Sequence, residues 1–118
     1  MRNISFFHTQ QQILDRTKHQ TRRLAWWDLK GGELLQGVDK CQGLKPGQHP
    51  LKLAVIRVEY ARPEVLNTIT QADVIEEGFP DFTPKMFVEF FCDNMKCEPT
   101  RVVNAIRFDY EDERTQLL

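Results

Sequence analysis

The run Arg16-Thr17-Lys18-His19-Gln20-Thr21-Arg22-Arg23 is the densest concentration of positive charge in the chain, and Leu24-Ala25-Trp26-Trp27 follows it directly. Cations that meet phosphate oxygens, hydroxyls set between them, and indole faces on which a base can stack are the parts of a nucleic-acid or nucleotide site. His19, Arg22, Arg23, Trp26 and Trp27 are therefore the candidate substrate contacts. The same run also reads as a solvated turn beside a core tryptophan, because short Lys/Arg clusters are common. Alternation along a strand sends one tryptophan toward the core and leaves the other outside as a stacking surface. The rest of the chain has to decide between these readings.

A length of 118 residues suits one domain with a real core, and 41% hydrophobic with 28% charged residues is ordinary for a globular chain. The negative mean hydropathy argues against an integral membrane protein, and no apolar stretch is long enough to span a bilayer. The N-terminus lacks the charged, apolar and small-residue regions of a signal peptide, so the expected location is cytoplasmic. Cys41, Cys92 and Cys97, an odd number without a tight framework, agree with a reducing compartment. The net charge of −1 hides an asymmetry: residues 1–58 hold ten Lys/Arg against four Asp/Glu, whereas residues 59–98 hold three against nine. Such a chain can present a positive face without a high pI, and it brings carboxylates of its middle near cations of its first half.

These residues need elements to position them. Residues 3–7 read as a strand, and residues 9–16 as a short helix with Thr9 as N-cap. The basic run then makes a turn into a strand from about Thr21, Lys30-Gly31-Gly32 is a turn, and strands follow at 33–38 and 51–60 around an exposed loop at 41–50. Thr70-Gln71-Ala72-Asp73 opens a helix with a capping box that Gly78 closes. Thr83-Pro84 opens another, with an apolar stripe of Met86, Phe87, Phe90, Phe91 and Met95 whose phenylalanines are expected to be core. A strand at 102–110 closes the domain, and residues 111–118 read as an acidic tail. Strands with short helices inserted and no βαβ repeat indicate an α+β domain, residues 1–110, around a small, partly closed barrel.

Four stretches together resemble one family: Ile4-Ser5-Phe6-Phe7, the spacing Lys18-x-x-Thr21-x-Arg23, the turn Lys30-Gly31-Gly32-Glu33-Leu34, and Leu66-Asn67-Thr68-Ile69-Thr70 with Glu77 after it. In order and spacing they are similar to the ASCH family, whose fold is that of the PUA domain of RNA-modifying proteins. The resemblance implies a PUA-like mixed β-barrel with two or three short helices and a cleft that handles RNA or a modified nucleoside. Some small bacterial members are amidohydrolases of N4-acetylcytidine that use a Lys, a Thr and a Glu. By position these are Lys18, Thr21 and Glu77, with Glu76 the alternative for the last, and Arg23 becomes a cleft cation. The chain differs from that subgroup in its greater length, in Arg22 at an otherwise apolar position, and in adding Trp26-Trp27.

The chemistry is coherent in its own right. Amide cleavage needs a nucleophile, a base to activate it and a proton for the leaving nitrogen. A Thr hydroxyl is inert alone, but a Lys whose pKa is lowered by burial or by neighbours such as Arg16, Arg22 and Arg23 can take its proton. A carboxylate beside that Lys opposes the shift, which leaves Glu77 as proton donor or substrate anchor. Residues three apart on a flat strand face opposite ways, so Lys18 and Thr21 cooperate only if the chain turns between them. Cys92-x4-Cys97 with a histidine is too widely spaced for a usual metal knuckle, and neither a metal nor another cofactor is expected. Two functions stay open: a hydrolase acting on an acylated nucleoside or on RNA itself, and an RNA-binding module without catalysis.

Overall fold

The computed structural model describes residues 1–111, so residues 112–118 of the expected acidic tail lie outside the described residues. Five strands form one mixed sheet: β1 (Arg2–Ser5), β2 (Gln20–Arg23), β3 (Leu34–Val38), β4 (Lys52–Val65) and β5 (Val102–Tyr110). Their spatial order is β1-β3-β4-β5-β2; β1 runs parallel to β3, and the other pairs are antiparallel. The sheet curls into a half-barrel with β1 and β2 at its two edges. Arg23 Nη2 of β2 spans the gap, donating to Ser5 O of β1 at 2.6 Å.

Strand β4 runs beyond its expected end, through Arg62-Pro63-Glu64. A proline normally argues against a strand, but β3 pairs only with the first half of β4, so Pro63 has β5 on one side and no strand on the other. The register shift between Val58 and Tyr60 bends β4 where β3 leaves it. The turn at Lys30-Gly31-Gly32 is as expected: Gly32 takes φ 95° and donates to Val58 O at 2.7 Å, and a Cβ on Gly31 would lie 2.6 Å from Glu59 O.

A 3-10 turn at Phe7–Thr9 leads into α1 (Gln10–Leu14); Thr9 stands at its N-cap position, but its buried side chain makes no capping hydrogen bond. Helix α2 (Gln71–Glu76) carries the expected capping box: Asp73 N donates to Thr70 Oγ1 at 3.2 Å and Thr70 N to Asp73 Oδ2 at 3.1 Å. Gly78, at φ 98°, turns the chain after it. Helix α3 (Pro84–Met95) starts with Met86 N donating to Thr83 Oγ1 and ends on Lys96 in the left-handed conformation. Among the described residues no helix is long and apolar enough to cross a membrane.

Two hydrophobic cores result. One fills the curl of the sheet with Ile4, Phe6, Ile13, Leu35, Ile56, Ile106 and Phe108. The other lies between α2, α3 and the start of β5, with Leu66, Val74, Phe87, Val88, Phe91 and Val103. The buried face of α3 is therefore Phe87, Val88 and Phe91, while Met86 and Met95 are exposed. Phe90 departs from the expected core stripe. At 100° per residue it falls to the edge of the buried face, half-buried against Phe79, Phe82 and His8 at ring distances of 5.3, 5.9 and 5.4 Å.

Replacing Phe108 or Phe87 with Ala is expected to cost about 3–5 kcal/mol in urea melts, as for a fully enclosed aromatic. Phe90→Ala, whose ring is only half enclosed, should cost about 1–2 kcal/mol; equal losses at all three positions would contradict this division of the stripe.

Candidate functional site

The chain reaches β2 through a turn at Asp15-Arg16, where Arg16 adopts φ 60°. The expected turn thus precedes Lys18 instead of separating it from Thr21. Gln12 O accepts from Thr17 N at 2.9 Å and from Lys18 N at 3.3 Å, and His19 N donates to Glu76 O at 2.7 Å. Tyr110 Oη adds a 2.7 Å hydrogen bond to Lys18 O. Pinned between α1, the end of α2 and β5, this irregular lead-in lets Lys18 and Thr21 both point inward, which a straight strand would forbid.

Lys18 is 3% exposed, and its Nζ donates to Glu77 O at 2.6 Å and to Glu77 Oε1 at 3.4 Å. Glu77 is the C-cap of α2 and equally buried, so it is the carboxylate at the site. Its neighbour Glu76 turns away to Arg107, with an N–O distance of 3.5 Å. The other oxygen, Glu77 Oε2, accepts from Arg22 Nη1 at 2.8 Å. Glu64 Oε2 and Asp73 Oδ2 stand 3.4 and 3.6 Å from Arg22 Nη2. Arg22 is thus surrounded by carboxylates from the acidic middle of the chain, and its guanidinium is turned away from solvent.

Thr21 and Arg23 share the opposite face of β2. Arg23 Nε donates to Thr21 Oγ1 at 3.0 Å, an arrangement that orients the hydroxyl and leaves its own proton to be given away. The Arg23 guanidinium lies 5.2 Å from the centre of the Phe6 ring, and no carboxylate of the described residues is within ion-pair distance of it. Burial pushes its pKa down to about 10. Burial likewise lowers Lys18, to about 8; Glu77 opposes the shift, and Arg23 and Arg22 reinforce it. Arg16 takes no part, since its guanidinium sits 5.4 Å from the Tyr110 ring centre.

These groups meet in a cavity of about 220 Å³ at the seam of the two cores. Lys18, Thr21, Arg23 and Glu77 form its polar floor; Phe6, Phe79, Phe87, Phe90 and Phe91 form its aromatic walls; Phe7, His8, Asn94 and Met95 stand at its mouth. The mouth residues were not legible as site residues, because the Phe7–Thr9 turn and α3 bring them together from opposite ends of the chain. The only local sign was the phenylalanine stripe that supplies Phe90 and Phe91.

Three expected contacts lie elsewhere. Trp26, at φ 67°, packs its ring under the Arg2 guanidinium at 4.8 Å, and its carbonyl accepts from Asn104 Nδ2 at 2.8 Å. Trp27 is the outward one, 53% exposed, and donates from Nε1 to Leu24 O at 3.2 Å. His19 is half-buried beside Asp109 and edge-on to Tyr110. None of the three lines the cavity. Cys92 and Cys97 have sulfurs 4.0 Å apart against the second core, and no group of three or more His, Cys, Asp or Glu among the described residues is placed to hold a metal ion.

No family model and no curated protein matches this sequence. Among solved structures the chain is similar to an ASCH domain from Lactobacillus crispatus JV V101, with a TM-score of 0.66 at 14% identity over 92% of this chain and 78% of that one. It is also similar to a protein of Enterococcus faecalis V583 described by the family model DUF984, with a TM-score of 0.60 at 18% identity over 89% and 71% of the two chains. At these identities the likeness defines the fold: this is an α+β domain of the ASCH-like, PUA-like type.

The buried lysine gives the site a measurable signature. Its ammonium titrates at about 8 in the folded protein against an ordinary 10.5, so between these values the unfolded chain binds more protons. Lys18 therefore opposes folding at and below pH 8, and that opposition fades as pH rises toward the upper value. Relative to Lys18→Met, the wild type should gain stability from pH 8 to 10.5 in urea melts; a constant difference across that window would show that the ammonium is not shifted.

Proposed function

We propose that this protein binds an acylated nucleoside, free or within RNA, and hydrolyses its exocyclic amide, with N4-acetylcytidine as the reference substrate. The observation that carries this reading is the convergence of Lys18, Thr21 and Glu77 on the floor of one aromatic-walled cavity, with Lys18 lowered to about 8. At neutral pH about a tenth of such a lysine is uncharged and able to act as a base. The cavity is smaller than the roughly 300–1,000 Å³ of sites that enclose drug-sized ligands. It therefore suits one ring with its acyl group and leaves the ribose at the mouth.

In this mechanism the pyrimidine lies against the phenylalanine walls with its acyl carbonyl over Thr21. Neutral Lys18 Nζ takes the hydroxyl proton, and Thr21 Oγ1 attacks the acyl carbon. Arg23, already bonded to Thr21 Oγ1, faces the negative charge that develops on the carbonyl oxygen. The Lys18 ammonium returns the proton to the exocyclic nitrogen, the C–N bond breaks and cytidine leaves. A water activated by Lys18 then cleaves the Thr21 ester and releases acetate. The ion pairs of Glu77 with Arg22 and Lys18 support its role as an anchor that holds the lysine, in preference to that of proton donor.

A binding module without catalysis remains the second reading because of one contact. Lys18 Nζ is engaged by both the carbonyl and the carboxylate of Glu77, so without ligand it is held off the Thr21 hydroxyl. Chromatographic release of cytidine from N4-acetylcytidine separates the two. Wild type should release it, and Lys18→Ala should lose turnover nearly as completely as a triple Lys18, Thr21 and Glu77 replacement, since members of one catalytic unit are not additive. Absence of release by wild type discards this substrate, and undiminished release by Lys18→Ala discards the mechanism.

A further inference from the structure

A second cavity, of about 310 Å³, adjoins the first: Ser5 and Phe7 line both, and Lys40, Cys41 and Gln42 complete it. Its base is held in place. Ser5 Oγ donates to Asp39 O at 3.2 Å, which ties the loop after β3 to β1. The Asp39 carboxylate does not neutralise Lys40; its Oδ1 accepts from Lys40 N and Leu51 N, both at 2.8 Å. Among the described residues no carboxylate is within ion-pair distance of the Lys40 ammonium. On the other side of the shared wall stands Arg23, whose guanidinium also lacks a carboxylate partner and donates to Ser5 O at 2.6 Å. Two cations with no carboxylate of the described residues in ion-pair distance thus flank the strip that joins the cavities, Glu77 acting on Arg23 only from further off, whereas Arg22, next in sequence to Arg23, is directly paired with carboxylates.

A concave surface between unneutralised cations selects an anion, and lysine serves phosphate as a point charge. We propose that the Lys40 cavity is a phosphate subsite of the candidate active site. The ligand is then a nucleotide, its base or acylated base in the aromatic cavity and its phosphate ester between Lys40 and Arg23. This rests on the proposed function for the identity of the base but not for the anion site. The phosphate is either the monoester of a free nucleotide or a diester within RNA.

The test is a titration of the whole ¹⁵N-labelled chain carrying Thr21→Ala, which removes the proposed nucleophile so that no probe is turned over, followed through its amide resonances, with four probes: inorganic phosphate, N4-acetylcytidine, N4-acetylcytidine 5′-monophosphate and a short single-stranded RNA carrying one N4-acetylcytidine. Inorganic phosphate should shift the amides of residues 40–42, and the monophosphate should bind about tenfold or more tightly than the nucleoside, as expected for one charge-assisted contact. Lys40→Ala, at a side chain with no internal partner, should remove that advantage and leave nucleoside affinity unchanged, and Lys40→Arg should restore it. RNA binding tighter than the monophosphate, with a salt slope that Lys40→Ala reduces by about 0.7, assigns the diester; the reverse order assigns the free nucleotide. Nucleoside and monophosphate binding equally, or Lys40→Ala without effect on either, overturns the subsite while leaving the hydrolase reading intact. Phosphate shifts at Lys40 with no nucleoside binding at Lys18 and Thr21 support the subsite and discard N4-acetylcytidine.

Discussion

The carboxylate of Glu77 lies between two buried cations, Lys18 on one oxygen and Arg22 on the other, and among the described residues it is the one carboxylate within ion-pair distance of Lys18. An unpaired charge in a protein interior costs several kcal/mol, more than a small domain can easily bear. Glu77 faces Lys18, Arg22 and Arg23 together, while Glu64 and Asp73 share in neutralising Arg22. Burial, opposed by Glu77 and reinforced by Arg23 and Arg22, keeps Lys18 close to the pH at which it can exchange a proton.

Local structure delivers Glu77 to this point. The Thr70–Asp73 capping box sets where α2 begins, and a helix of six residues then ends with Glu77 at its C-cap. Asp73 serves twice, closing the cap and facing the Arg22 guanidinium, so the start of the helix and the burial of Arg22 are coupled. Gly78 redirects the chain so that Phe79 becomes part of the cavity wall. On the other side, Tyr110 and the lead-in to β2 hold the Lys18 backbone. The site is therefore a joint between two cores, and its geometry depends on both being packed.

The basic run does not form the single positive face that its composition suggested. Its cations divide: Arg16 stays outside on Tyr110, Lys18 and Arg22 turn in toward Glu77, and Arg23 stretches along the barrel gap. The carboxylates that neutralise Arg22 come from the acidic middle of the chain, as the charge asymmetry implied they would. Arg23, and Lys40 outside the run, are instead left with no carboxylate of the described residues in ion-pair distance. Side chains of one strand part to two faces, and only the partners on each face decide which cations remain available.

Local signals decided much of this protein in the sequence itself. The Thr70–Asp73 capping box, the Thr83 N-cap, the Gly31-Gly32 turn, the β5 strand and the α+β class follow from short-range sterics and hydrogen bonding, which act over a few residues and leave a mark in residue type. The family resemblance, not spacing alone, singled out Lys18, Thr21 and Glu77, with Glu76 as the alternative, and these line or adjoin one cavity. Which glutamate was buried, why the turn falls before Lys18, and that the tryptophans lie away from the cavity were not legible. The length of β4 escaped because Pro63 is tolerated only where one side of the strand has no partner, which is a fact about neighbours. Phe90 and His8 line the cavity through contacts between distant segments, and the free energy of such contacts is set by packing in three dimensions, where no local pattern records it.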